Sequence, residues 1–167
     1  MRLAPLIALA MLGALSSTGS AQETACPALP PELAGWASPT PVVAATTAAD
    51  LPRAIVTIGR RADLALSPSA KIVFAVAPGK APAATTNSGM ASFTVATAGT
   101  YRVALGTAAW ITIAKDGAAL QSVAHKHGLG CAGVRKMVDF TLTPGAHVLQ
   151  IENAPDGVAG LLIARLP

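Results

Sequence analysis

The segment His125-Lys126-His127-Gly128-Leu129-Gly130-Cys131 places two imidazoles and a thiol within seven residues, and a third imidazole, His147, follows the turn Thr143-Pro144-Gly145. Neutral imidazole is accepted by Fe(II), Cu(II) and Zn(II) alike. Two such groups at i and i+2, joined by a third from a neighbouring strand, would make an open three-histidine site suited to copper handling or to Lewis-acid chemistry. Asp139 and Glu152 are the nearest candidates for an added carboxylate. The same residues also read without a metal. Residues 124–133 connect two predicted strands, where exposed histidines need no purpose, and His147 alternates with Leu149 and Ile151 on an apolar face. There an imidazole fills an aromatic-sized slot with its N–H on a backbone oxygen. Convergence decides between the two, because a metal needs the three nitrogens about 2 Å from one point.

Cys131 bears on that choice, since a disulfide sulfur is not a thiolate and is no strong metal ligand. Its one possible partner is Cys26. The beginning of the chain predicts an oxidising destination. Arg2 is followed by an apolar run from Leu3 to Leu15, then by small residues, with Gly19 and Ala21 at the −3 and −1 places of a cut after Ala21. Residues 1–21 therefore read as a secretory signal peptide, and the run is shorter than the roughly 20 residues of a permanent membrane span. Glu23-Thr24-Ala25 before Cys26 is a poor lipoprotein box, so no stable membrane anchor is expected. Location is predicted as periplasmic or secreted, and an exported chain with two cysteines predicts the Cys26–Cys131 disulfide.

Removing Arg2 with the signal leaves eleven basic against eight acidic residues. The basic ones are scattered singly except for Arg60-Arg61 and Arg135-Lys136. Nucleic-acid binding wants a clustered stripe with interleaved aromatics, and aromatics are only 4% of the chain, so no nucleic-acid partner is expected. The mild positive charge fits solubility and a loose attraction to acidic envelope surfaces. Arg135-Lys136 reads as a solvated edge, and Trp36 and Trp110 as packing residues rather than sugar platforms. There is no G-x-S-x-G elbow, no phosphate-cradling glycine loop and no closely spaced carboxylate pair.

The elements that must position these residues are short and alternate with period two. Residues 22–41 form a proline-rich arm, extended because proline fixes φ and donates no N–H, with a short helical turn possible around Glu32–Gly35 and Trp36 pinning it to the body. Strands are predicted at 42–46, 54–58, 71–77, 92–96, 101–105, 110–114, 118–124, 136–142, 147–152 and 160–166, with Asp116-Gly117 as the clearest hairpin signal. Nine or ten short strands without an amphipathic helix predict an all-β antiparallel sandwich or jelly roll over residues 42–167. Residues 78–89 are expected to form a long flexible loop, the place for variation or contact.

Gly99-Thr-Tyr-Arg-Val-Ala-Leu, Ala109-Trp-Ile-Thr-Ile-Ala-Lys-Asp-Gly and Val134-Arg-Lys-Met-Val-Asp-Phe-Thr-Leu-Thr-Pro-Gly-Ala-His-Val-Leu-Gln-Ile resemble the second half of secreted sandwiches of the carbohydrate-binding-module type. The whole chain also resembles short exported bacterial proteins, some labelled homogentisate 1,2-dioxygenase. That resemblance implies a non-haem iron held by two histidines and a carboxylate, onto which His125-x-His127 and Pro144-Gly145-Ala146-His147 map. Where the dioxygenase pattern has glutamate, positions 131–133 here read Cys-Ala-Gly, and Glu152 lies on the strand face opposite His147. The leading expectation is a non-catalytic protein that binds a small molecule or envelope component and needs no cofactor. The alternatives are an iron-dependent dioxygenase and a copper- or zinc-binding periplasmic protein, both using His125, His127 and His147.

Overall fold

A computed structural model describes residues 25–167, so the expected signal peptide, residues 1–21, lies outside the described residues. Among the described residues no helix is long and apolar enough to cross a membrane. The chain folds as a β-sandwich of eleven strands: β1 Thr40–Val43, β2 Arg61–Ala65, β3 Ser67–Pro68, β4 Asn87–Val95, β5 Gly99–Leu105, β6 Trp110–Lys115, β7 Ala118–Ala119, β8 Ser122–His127, β9 Lys136–Leu142, β10 Gly145–Ala154 and β11 Val158–Arg165. Sheet A has the order β1-β2-β11-β5-β9-β8, and sheet B has β3-β4-β10-β6-β7. From β2 onward successive strands pass repeatedly between the sheets, which is the wrapping of a jelly roll.

Alternation fills the space between the sheets. Tyr101, Val103 and Leu105 of β5, Val138, Phe140 and Leu142 of β9, and Leu161 and Ile163 of β11 face Phe93 and Val95 of β4, Ile111 and Ile113 of β6, and Leu149 and Ile151 of β10. Asp116 and Gly117 make the β6–β7 turn with φ of 50° and 76°, as Asp-Gly predicts.

The outer face of each sheet is covered by chain that is not strand. On sheet A lies the arm. Pro31–Ala37 is a 3-10 turn with proline at its start, and it seats Leu33 and Trp36 on Ala104, Val134, Met137, Leu162 and Ala164. Trp36 does pin the arm: its Nε1 donates to the carbonyl of Ala132 at 3.0 Å, and the Arg61 guanidinium lies 4.7 Å above the ring. Gly35 allows the close seating, since a Cβ there would run into the carbonyl oxygen of Gly59. The arm also completes an ion cluster. Arg102 of β5 donates from Nε and Nη2 to both oxygens of Asp139 on β9, at 2.8 and 2.9 Å, and from Nη1 to Glu32 of the arm at 2.6 Å. The bidentate bond to Asp139 raises the Arg102 pKa further, against the opposing effect of burial. Cys26 is bonded to Cys131, with the Cα atoms 5.7 Å apart, as the two-cysteine count predicts.

Three expectations are corrected. Residues 71–77 are not a strand: Ile72, Phe74 and Val76 are half-buried at alternate positions because the segment lies on the outer face of sheet B, packing on Met90, Ala45 and Ala54. Its backbone is satisfied by single contacts, Val73 N–H to Thr46 O at 2.9 Å and Val76 N–H to the Gln150 side chain at 3.1 Å, rather than by a ladder. Residues 54–58 likewise hold β4 by one bridge only, Ile55 to Ser92. In the other direction, Thr40–Val43 at the end of the arm pairs in parallel with β2, a strand in which only Ala62 and Leu64 of the five residues are buried. Residues 78–86 form the long connection expected over 78–89, without strand or helix. They are strapped down by side chains of β10, through Lys80 N–H to Glu152 at 3.0 Å, Ala83 N–H to Asn153 at 2.8 Å and Asn153 Nδ2–H to Ala81 O at 2.9 Å, and Asn87–Gly89 belong to β4.

Candidate functional site

His125 and His127 are on a strand, not in a loop. Their strand, β8, pairs only with β9, in the register His125 to Val138 and His127 to Lys136. Residues opposite one another across a ladder share a face. Val138 is part of the core, so both imidazoles lie on the sandwich side of sheet A. Sheet B ends there in β7, a strand of two residues, and every residue of β8 is exposed.

His147 is elsewhere. It sits on β10 of sheet B in line with Leu149 and Ile151, 1% exposed, stacked on Phe93 with ring centroids 5.3 Å apart. Its Nδ1 is 3.0 Å from the carbonyl of Gly145. A carbonyl only accepts, so Nδ1 carries the proton and Nε2 holds a bare lone pair, buried and without a partner. The three histidines therefore do not converge, and among the described residues no three His, Cys, Asp or Glu side chains are gathered to hold a metal ion. Asp139 is occupied by Arg102 on the outer face of sheet A, and Glu152 by Lys80 N–H on the outer face of sheet B. Cys131 is a disulfide sulfur. The ligand set His125, His127 and His147, common to the iron, copper and zinc alternatives, is not assembled, because alternation turns His147 into the core of the opposite sheet.

Burial pushes the His147 pKa down, opposed by the Gly145 hydrogen bond and followed in weight by nearby Lys115, which lowers it, and Asp116, which raises it. A folded-state value below the ordinary one means that the unfolded chain takes up the proton more readily. Stability is then independent of this group above the ordinary histidine range and falls as pH drops below about 6.5, by at most about 1.4 kcal/mol per pH unit. His147→Phe keeps the stack on Phe93 and removes the unpartnered nitrogen. Thermal melts of this variant between pH 7 and 5 are expected to show a flatter decline than wild type. Equal slopes would contradict the assignment.

What β8 does border is a cleft of about 1030 Å³ at the short end of sheet B. Lys136 at the start of β9, Trp110 at the start of β6, His125 and His127 line it together with Lys80 and Arg135, Lys126 touches it from the other face of β8, opposite Met137, and glycines 128, 130 and 133 form a rim. Trp110 is 47% exposed. The Lys136 ammonium donates to Ala109 O at 2.8 Å and lies 5.9 Å from the Trp110 ring centroid; its burial lowers the pKa. Among the described residues no carboxylate residue lines the cleft, and none of Lys80, Arg135 and Lys136 makes an ion pair. The rim is held from behind: Cys131 by Cys26, Ala132 O by Trp36, and Gly128 N–H by Arg135 O at 3.0 Å.

Sequence reasoning found the imidazoles of this cleft but not its character. Arg135 and Lys136 had read as a solvated edge and Trp110 as a packing residue. Lys136 carried a signal, since it shares parity with Val138, Phe140 and Leu142, and a lysine at an inward position of a strand needs a reason. Lys80 carried none, coming from a different part of the chain. A scan against protein-family models finds no match for the chain, and a search of curated proteins finds none either.

Proposed function

We propose that the protein is an exported, non-catalytic binding module whose cleft between β8–β9 and the head of β6 takes an anionic ligand of the cell envelope. The observation that supports this is the charge of the lining: Lys80, Arg135 and Lys136 with two imidazoles, and no acidic residue among the described residues that line it. Cations gathered without counter-charges repel one another, and in a surface of mixed sign such a concave cluster raises the local concentration of anions. Lys136 adds to this, because a half-buried ammonium whose one acceptor among the described residues is a backbone carbonyl gains from an incoming anion the charge pairing that burial denies it.

The test uses inorganic tripolyphosphate as a ligand-neutral anion, with titration calorimetry on the mature, disulfide-bonded protein. Binding is expected at low ionic strength, weakening as salt shortens the screening length. The double variant Arg135→Gln/Lys136→Gln is expected to bind at least about tenfold more weakly with an unchanged melting temperature. Equal binding by wild type and variant would remove the cleft as the site, and turnover of any bound compound by the pure protein would overturn the non-catalytic reading.

A further inference from the structure

We infer that the anion this cleft takes is part of another protein, an acidic peptide segment that adds to β8 as an extended strand. The inference rests on the anion-binding reading above and adds the ligand's class. Two unfinished sheet edges carry it. β8 is the last strand of sheet A, and its register fixes which backbone groups look outward. Gly128 N–H donates to Arg135 O, and along an antiparallel ladder hydrogen-bonded and non-bonded pairs alternate. Ala124 and Lys126 therefore bond to Asp139 and Met137, whereas the N–H and C=O of His125 and His127 point away from β9. Among the described residues no backbone group meets them. Across the cleft β6 stops short in the same way. Leu120 N–H donates to Ile113 O, so Ile111, two residues earlier, turns its N–H and C=O to the same side. β7 pairs only with Ala114 and Lys115, which leaves Ile111 lining the cleft.

An open edge is a template for one more strand. It presents donors and acceptors in turn, so its complement must supply both. Phosphate groups, free or in a nucleic-acid backbone, only accept, and would set their oxygens against the outward carbonyls of His125 and His127. A peptide backbone answers each group. The charges then choose its side chains. Residues opposite one another across a ladder share a face, so a strand residue opposite His125 or His127 stands on their side of sheet A, where Lys136 already lies opposite His127. A carboxylate at that place meets the cations of the cleft. A lysine on an edge strand also discourages pairing with a like strand. Two copies of Ser122–His127, each with Lys126 and no acidic residue, would bring like charges together, so the edge favours an acidic strand over a second copy of itself.

The experiment titrates the disulfide-bonded protein with a short capped peptide that alternates glutamate and valine. Its comparisons are a copy with glutamine for glutamate, a copy N-methylated at every residue, oligothymidylate and tripolyphosphate. Calorimetry follows binding, and hydrogen exchange follows the amides. The glutamate peptide is expected to bind and to slow exchange at His125 and His127 at least about tenfold. Its glutamine and N-methyl copies are each expected to bind at least about tenfold more weakly. His125→Pro removes one outward N–H and spares the ladder with β9, because an edge strand accepts proline where the nitrogen faces out. Compared with His125→Ala, which keeps that N–H, it is expected to bind the peptide about tenfold more weakly and tripolyphosphate within about twofold. The peptide copies decide the matter should the proline variant not fold. If tripolyphosphate binds through Arg135 and Lys136 while the glutamate peptide binds no better than its N-methyl copy, the added-strand inference fails and the anion reading stands. A glutamine copy that binds equally well, tighter binding of oligothymidylate, or a dimer in sedimentation that His125→Pro dissolves also overturns it. Failure of every anion would sink both.

Discussion

Asp139→Ala is expected to cost about 3–5 kcal/mol, because it strips a buried arginine of its bidentate partner. Arg102 and Asp139 are each only 7% exposed, and Glu32 accepts from Nη1 alone, leaving Nε and Nη2 of Arg102 without acceptors under the arm. For a chain of this size the loss corresponds to a fall in melting temperature on the order of 10–15 °C. The deficit comes from the stranded charge rather than from a lost attraction, so the apolar pair Arg102→Met/Asp139→Leu should regain most of it. Urea or thermal unfolding of the three proteins checks this. If the single and double variants unfold alike, the ion cluster has another role. Glu32→Gln is the milder change, since that carboxylate has greater access to water than Asp139.

Opening the Cys26–Cys131 bridge is expected to have an effect of similar size. The bridge spans 105 residues, and the chain-entropy relation assigns about 4–5 kcal/mol to closing a loop of that length in the unfolded state. Cys26→Ser/Cys131→Ser should therefore melt well below wild type, by on the order of 10–15 °C. The consequence for the cleft is separable. Cys131 sits in the short turn Gly130–Ala132 between rim glycines, so the double serine variant, assayed well below its own melting point, should bind tripolyphosphate more weakly than wild type. A stability loss with unaltered binding would show that Trp36 and its bond to Ala132 O hold the rim unaided.

Much of the fold can be read from the sequence where side chains alternate over long strands. β5, β6, β9 and β10 were placed within a few residues by runs such as Tyr101-Val103-Leu105 and Val138-Phe140-Leu142. Alternation misleads where a segment lies on a sheet instead of in it. Ile72 and Phe74 alternate with exposed neighbours because one side meets Met90 and the other meets water, and nothing in the pattern distinguishes that from a half-buried strand. β2 was invisible for the opposite reason: Arg61 and Asp63 pair with each other at 2.8 Å on its outer side, so it carries too few apolar residues to register. The candidate site divides similarly. The parity of His147 with Leu149 and Ile151 foretold its burial, and two cysteines in an expected exported chain foretold the disulfide. The cationic cleft could not be foretold, because Lys80, Arg135 and Trp110 meet only through the wrapping of two sheets, and charges scattered singly along a sequence reveal nothing about their spacing across a surface.

The arm's seat has a kinetic corollary. Leu33 and Trp36 rest on side chains of β5, β9 and β11, so the earliest described segment cannot dock until the last strand has been made and inserted. Assembly is thus closed by joining Pro31–Ala37 to Val158–Arg165, a contact of very long sequence separation that slows folding. Deleting β11 would therefore release the arm, because Leu162 and Ala164 of its seat go with that strand.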